Sequence, residues 1–457
     1  MYISNKIISR FKELSERVEK NIFWIIILNI SSGASQFIVY SLINKELGKV
    51  SLGVWSLLII ANSLGQISNF NFSTSLTRLV PKLILDKNKS EISDLIKTAN
   101  LANIIFTIPV LIVLYFFSLS YASALLETSQ LLLYKTTLIW IIASSFLSTI
   151  FSVYSAVFDG FQKFYIRSII QILGWAVFLI LSIVLIPAYN LKGVGLAFFF
   201  QNLFVLFLAI VITIRSKFVE FDFTISFNKK WFKEITSFGF KFQATSILSL
   251  ITEPIIKYFI TKKLGLSVTA NYEFANKLIT QIRAFLVNAN QVIVPNIVLH
   301  ESKGTLADYF FQIQKRNTDL AVYIGLLTLF VSPIAILVFN NSFDAKLMQL
   351  VIVLNAGWVC NMITSIHYYT CIGLNKVGKL FFVHAFYALS ILLLFIIFNQ
   401  LPYINIFFIF IPAMSLFIAS VYNSSVLKNL KGSYYWITST KFIMFLILSI
   451  ILGVILP

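Results

Sequence analysis

With the residues near stretch ends (Arg167, Lys192, Lys262, Asp319, Lys379 and Lys441) assigned to the loops, six charged side chains lie inside otherwise apolar stretches of this 457-residue chain: Lys241, Glu253, Lys257, Glu273, Lys277 and Arg283. Facing hydrocarbon, each would cost about 2.5–3.5 kcal/mol, so they must be paired or hydrated. Glu253 and Lys257 stand one helical turn apart, as do Glu273 and Lys277, so each acid has a base within reach on its own helix. Arg283 has no acid within a turn. Its planar guanidinium presents paired N–H donors suited to phosphate or carboxylate, whereas a lysine acts as a point charge. Four bases against two acids leave the group net positive, the balance expected of an anion site. Any ion coupled to such a site would have to use Glu253 or Glu273, the two acids of this group.

Neutral polar residues form stripes beside these charges. Asn29, Ser32, Gln36 and Tyr40 share one helical face, as do Asn62, Gln66, Asn69, Ser73 and Thr77. Gln243, Ser246 and Ser249 continue the arc of Glu253 and Lys257, and Asn276, Thr280, Asn290 and Gln291 that of Arg283. Such stripes either line an aqueous lumen or join helices through hydrogen bonds of about 0.6 kcal/mol each.

The elements that must carry these residues follow from composition. Apolar residues make up 58% and charged residues 12%, against about 25% charged in soluble domains. No globular core of this length hides so much apolar surface, so the solvent is lipid. Thirteen stretches reach the spanning length of about 20 residues: 21–43, 53–77, 98–119, 136–158, 166–187, 191–214, 236–262, 270–298, 317–340, 347–371, 379–400, 404–426 and 437–456. The turn Leu401-Pro402-Tyr403 separates two of them. A cleaved leader is not expected, because apolar sequence runs on past Ser31-Ser32-Gly33-Ala34-Ser35 to Ile43.

With a cytoplasmic N-terminus, cytoplasmic segments hold 25 Lys and Arg and outer loops 7, the asymmetry of the positive-inside rule. The net charge of +18 is therefore mostly topology and calls for no nucleic-acid partner. The expected organisation is a cytoplasmic segment 1–20, an N-lobe 21–214, an interfacial linker 215–235, a C-lobe 236–430 and an additional helix within 431–457. In the linker, Phe221, Phe223, Ile225 and Phe227 alternate with polar residues ahead of Lys229-Lys230-Trp231-Phe232-Lys233, suiting aromatic anchors and headgroup-facing lysines.

The halves repeat. Leu47-Gly48, a small residue five positions after the glycine and an aromatic two further on recur from Leu264-Gly265 at an offset of 217, and Gly160-Phe161-Gln162-Lys163 matches Gly373-Leu374-Asn375-Lys376 at 213. Six helices per copy is even, so both copies insert in one orientation, as in transporters whose substrate site lies between parallel repeats.

The Leu-Gly-x4-Gly-x-Trp-Ser-Leu turn at 47–57, the run from Asn69 to Arg78, and the Gly160 turn resemble the polysaccharide-transporter branch of the MOP superfamily over about residues 20–430. That branch holds the O-antigen and capsular repeat-unit flippases, and the superfamily also includes MATE drug exporters and lipid II flippases. The resemblance implies an all-α polytopic membrane protein of about 12–13 helices in two pseudo-symmetric six-helix lobes around a central cavity, working by alternating access. It further implies an undecaprenyl-pyrophosphate-linked oligosaccharide as substrate and a bacterial cytoplasmic membrane location. Membrane lipids and the polysaccharide polymerase machinery are the implied partners.

Arg283, Lys277, Lys257, Lys241, Arg78, Gln36 and Asn69 are the candidate substrate-binding residues; Arg78 matches the family's cytoplasmic end of helix two. The surplus of bases argues against a MATE-type exporter of cations, which would want acids. No Cys/His metal spacing, Walker-type loop or nucleophile elbow marks an enzyme or a cofactor. Cys360 and Cys371 read as packing residues, His367 and His384 as interfacial histidines, and Pro254 as a bending point.

Overall fold

The computed structural model describes residues 2–70, 72–85, 89–216, 226–290, 293–374, 376–399 and 408–455. The chain is an all-α polytopic membrane protein. Its α-helices in order are α1 (Tyr2–Gly65), α2 (Phe72–Leu85), α3 (Lys89–Ser123), α4 (Thr128–Gly160), α5 (Phe164–Arg215), α6 (Lys229–Leu264), α7 (Leu266–Asn290), α8 (Ile293–Ser302), α9 (Leu306–Asn340), α10 (Ala345–Gly373), α11 (Val377–Asn399), α12 (Ile411–Val426), α13 (Tyr435–Thr438) and α14 (Thr440–Ile455).

Among the described residues, seven helices are long and apolar enough to cross a membrane. They cover every expected stretch except the seventh, eighth, twelfth and thirteenth. Two shorter apolar helices, Ile411–Val426 and Thr440–Gly453, fall at the last two. The seventh and eighth correspond to α6 and α7, the helices that carry the six charges. The turn expected at 401–403 lies outside the described residues.

Two of the long helices are broken in the middle. Gly48 interrupts α1 at φ 81°, and Asn190 interrupts α5 at φ 52°. Gly48 is glycine for a physical reason, since its φ 81°, ψ 166° lies in a region that only glycine adopts readily and that costs other residues about 1–3 kcal/mol. Its repeat counterpart Gly265 adopts φ 84° between α6 and α7. The second repeated turn also keeps its geometry. Phe161 and Leu374 cap α4 and α10 at nearly identical angles, φ −80° and −81° with ψ 6° in both. Lys163 N then donates to Phe158 O at 2.8 Å and Lys376 N to Cys371 O at 2.7 Å, the same six-residue closure.

The chain packs as two compact units: residues 1–39 with 61–243, and residues 40–60 with 244–457. In the first, Phe72, Leu76 and Val80 of α2 meet Leu95 and Ala99 of α3, Val153 and Val157 of α4, and Trp231 and Ile235 of α6. Trp231 is only 4% exposed and Phe232 stacks on Phe106, so these two aromatics pack on protein rather than anchoring in headgroups. Helix α6 starts at Lys229 and draws them inward. Phe221, Phe223 and Ile225 lie outside the described residues.

In the second unit, Gly53 lies against the start of α7. A Cβ there would sit 2.4 Å from Leu266 O, so the close backbone approach requires glycine. Asn290 donates to Asn317 Oδ1 and Ser365 Oγ, each at 2.8 Å, tying α7 to α9 and α10. His367 is fully buried in α10, with Nε2 3.0 Å from Ser433 O and its ring in a T-shaped contact with Phe310. Cys360 and Cys371 are buried free thiols.

Candidate functional site

Three segments of the second unit converge on one lysine: the stretch after Val39 in α1, the second half of α6, and α7. The Lys257 ammonium is fully buried and lies 2.8 Å from Glu253 Oε1 and 2.6 Å from Glu273 Oε2. Its third partner is Ser56 O at 3.0 Å. An ammonium has three N–H donors, and all three are committed here. Glu273, 3% exposed, also accepts from Tyr40 Oη at 2.7 Å and from Ser56 Oγ at 3.5 Å. Glu253 is 34% exposed and is the accessible acid of the pair.

This pairing differs from the one that helical spacing offers. Glu273 takes Lys257 of the neighbouring helix, not Lys277 on its own. Among the described residues Lys277, half-buried on α7, forms no hydrogen bond or ion pair. Two residues of the node, Tyr40 and Ser56, are the repeat equivalents of Lys257 and Glu273 at the offset of 217, and Ser56 and Glu273 touch each other.

Further along α7, Arg283 donates from Nε to Asn361 Oδ1 at 2.9 Å and lies over the Trp358 ring, 4.8 Å from its centroid. Trp358 is held in turn by Nε1 donating to Asn276 Oδ1 at 2.9 Å, one α7 residue thus fixing the platform for another. Among the described residues the two terminal amino groups of Arg283 have no hydrogen-bond partner. The stacked ring and the Asn361 amide therefore aim the guanidinium while leaving its four terminal N–H groups for an anion or water.

The remaining candidates belong to the first unit. Arg78 is exposed on α2 in the first unit. Gln36, half-buried, donates to Ser32 O of its own helix at 3.2 Å. Asn69 belongs to a ladder in the first unit: Asn62 Oδ1 accepts from Ser145 Oγ at 3.2 Å, Gln66 Nε2 donates to Ser148 Oγ at 3.3 Å, and Asn69 Oδ1 accepts from Ser152 Oγ at 3.1 Å. That stripe joins helices. Lys241 lies on α6, and its side chain, like Gln291, lies outside the described residues.

Tyr40 was visible in a polar stripe, but Ser56, Asn361 and Trp358 carry no local signal for their roles. Applying the repeat offset to Glu273 would have found Ser56. Asn361 and Trp358 sit on α10, where only tertiary packing brings them to α7. Among the described residues, no three His, Cys, Asp or Glu side chains gather as a metal site would need.

A family model described as polysaccharide biosynthesis protein matches residues 18–299. Among curated proteins no relative matches the sequence. Solved structures match over nearly the whole chain. A multidrug resistance MATE family transporter of the MOP superfamily, in an inward-facing conformation, is similar at TM-score 0.72 and 11% identity, covering 89% of this chain and 98% of its own. The lipid II flippase MurJ in an inward closed conformation is similar at TM-score 0.71 and 15% identity, covering 95% and 98%. A MOP superfamily transporter from Pyrococcus furiosus, noted for the reverse polarity of its binding pocket, is similar at TM-score 0.64 and 13% identity, covering 94% and 96%. At such identities the likeness establishes a shared fold.

Proposed function

The chain belongs to the polysaccharide biosynthesis protein family, built on the transporter fold of the MOP superfamily, and we propose that it is a flippase for a lipid-linked oligosaccharide. The cargo is an undecaprenyl-pyrophosphate-linked repeat unit for O-antigen or capsule assembly. It moves across the bacterial cytoplasmic membrane by alternating access, with the N-terminus cytoplasmic as the 25-to-7 division of Lys and Arg favours. The polysaccharide polymerase machinery receives the product on the far side.

The observation that carries this reading is the Arg283 guanidinium, aimed by Trp358 and Asn361, whose terminal donors have no hydrogen-bond partner among the described residues. Four N–H groups in a plane match two oxygens of a pyrophosphate, and charge-assisted bonds of this kind contribute about 1.5–3 kcal/mol each. Lys277, without an ion-pair partner among the described residues, adds a basic group on the same helix. Lys257 supports the site indirectly, because its donors are spent on Glu253, Glu273 and Ser56. An exporter of cations is disfavoured by the same arrangement, in which the free charges are positive and the acids are bound. Energy comes from the substrate gradient or from an ion taken up at Glu253, the accessible acid, with Glu273 behind it.

Deletion of the gene in its host tests the reading. Loss of surface polysaccharide with unchanged tolerance of cationic dyes is the expected result. Intact polysaccharide with new dye sensitivity would replace the flippase by a small-molecule exporter.

A further inference from the structure

At one end of the second unit a recess of about 560 Å³ opens between α8, the start of α9, the start of α11, the end of α12 and the residues that follow it. Lys376, Lys379 and Lys428 line it, with Glu301 the one acid among the lining residues. All three lysines are exposed, and among the described residues none forms an ion pair. Lys379 Nζ donates to Val426 O at 3.4 Å, which holds it across the α11–α12 junction. Tyr422, Ser425 and Asn429 add neutral polar groups to the wall. The N-terminus of α11, a 23-residue helix, enters the same recess and brings its positive dipole end. Beneath it, Leu380 and Leu427 are buried with Phe310, Ile366 and Cys371, so the floor is packed protein.

One side of this basic recess is apolar and continuous with a lipid-exposed track. Phe382 lines the recess and is 60% exposed, and Phe386, Leu389 and Leu393 follow it up α11, all exposed. Their spacing of four, three and four residues places them on one face of the helix. Phe386 is braced by stacking on Tyr422, with ring centroids 4.5 Å apart. A ligand that satisfies both parts carries an anionic head and a long apolar tail.

We propose that this recess is a binding site for an anionic phospholipid, the phosphate sitting among Lys376, Lys379 and Lys428 and an acyl chain lying along Phe382, Phe386, Leu389 and Leu393. Basic pockets between membrane helices hold anionic headgroups by the same electrostatics. The site is separate from the Arg283 cluster and does not depend on what is transported. Its assignment to the cytoplasmic leaflet alone rests on the orientation proposed above.

The test is native mass spectrometry of the full chain in detergent, titrated separately with dioleoylphosphatidylglycerol and dioleoylphosphatidylcholine. The wild type should retain the glycerol lipid in preference to the choline lipid. The triple variant Lys376→Gln, Lys379→Gln, Lys428→Gln should lose that preference by roughly tenfold or more. Should the triple variant fail to accumulate, Lys376→Gln and Lys428→Gln singly, both at exposed positions, must each weaken retention. Equal retention of the two lipids by the wild type, or undiminished preference in the variants, overturns the site. Thermal stabilisation of the protein by inorganic phosphate alone, matching that by the lipid, overturns the lipid assignment in favour of a soluble anion.

Discussion

Replacing Lys257 by methionine should be among the most damaging single changes in the second unit. Methionine roughly fills the volume but removes all three donors at once. Glu273, 3% exposed, is left with only the Tyr40 and Ser56 hydroxyls. Stranding one partner of a buried ion pair costs about 3–5 kcal/mol. Glu273→Gln is milder, because Lys257 keeps Glu253 and Ser56 O; losing one charged bond of three costs about 1.5–3 kcal/mol. The double variant Lys257→Met/Glu273→Gln contains no stranded charge at Glu273, so it should be more stable than Lys257→Met alone. For units of this size a kilocalorie moves the unfolding midpoint by about 2–4 °C, putting Lys257→Met on the order of 10 °C below wild type. Tryptophan fluorescence of the detergent-purified proteins during heating measures all four. A Lys257→Met protein melting within about 2 °C of wild type, or a double variant no better than it, would refute the node as the organiser of these three segments.

Gly53→Ala should impair folding, since its Cβ would meet Leu266 O at 2.4 Å, whereas Gly48→Ala, in open space, should cost only the positive-φ strain of about 1–3 kcal/mol; membrane yields of the two variants give the comparison. Asn69→Leu should lower thermal stability by only about 0.6 kcal/mol and leave export intact, because its partner is Ser152 rather than cargo; loss of export at normal protein levels would return Asn69 to the binding site. Asp344 caps α10 by accepting from Leu347 N at 3.0 Å and pairs with Lys49 at 3.1 Å. Burial raises its pKa, but these hydrogen bonds and the Lys49 charge outweigh that and hold it below the usual carboxylate range. A depressed carboxylate stabilises the fold above its unfolded pKa and loses that contribution as pH falls through the folded value. Asp344→Ala should therefore cost about 1 kcal/mol at neutral pH, and thermal melts should show the gap from wild type closing only under strong acid.

Much of this architecture is written locally. A long apolar run dictates a spanning helix, and Leu-Gly followed by a second small residue five positions on dictates a break and a close approach. Gly48 and Gly265 accordingly share a positive φ, and Gly53 lies against Leu266. Partner choice is not local. The spacing of Glu273 and Lys277 satisfies the one-turn rule, yet Glu273 binds Lys257, because burial of α6 against α7 rewards a shorter and drier contact. Periodicity places Asn62, Gln66 and Asn69 on one face but does not say what that face meets. The matching row Ser145, Ser148 and Ser152 on α4 was the legible complement. Trp231 read as an interfacial anchor because lysines flank it, whereas its indole is buried among the helices of the first unit.

The most direct test of the account is lipid-linked oligosaccharide flipping by Arg283 variants in proteoliposomes, read by quenching or enzymatic capture of the sugar on the far leaflet. Losing the Asn361 bond and the Trp358 contact should cost Arg283→Ala about 1–3 kcal/mol of stability, leaving it folded. Losing one or two charge-assisted bonds to pyrophosphate should slow flipping by at least about tenfold. Arg283→Lys, which keeps the charge but not the fork, should fall between the two. An Arg283→Ala protein that is stably inserted and flips at the wild-type rate would contradict the assignment of this guanidinium to the cargo.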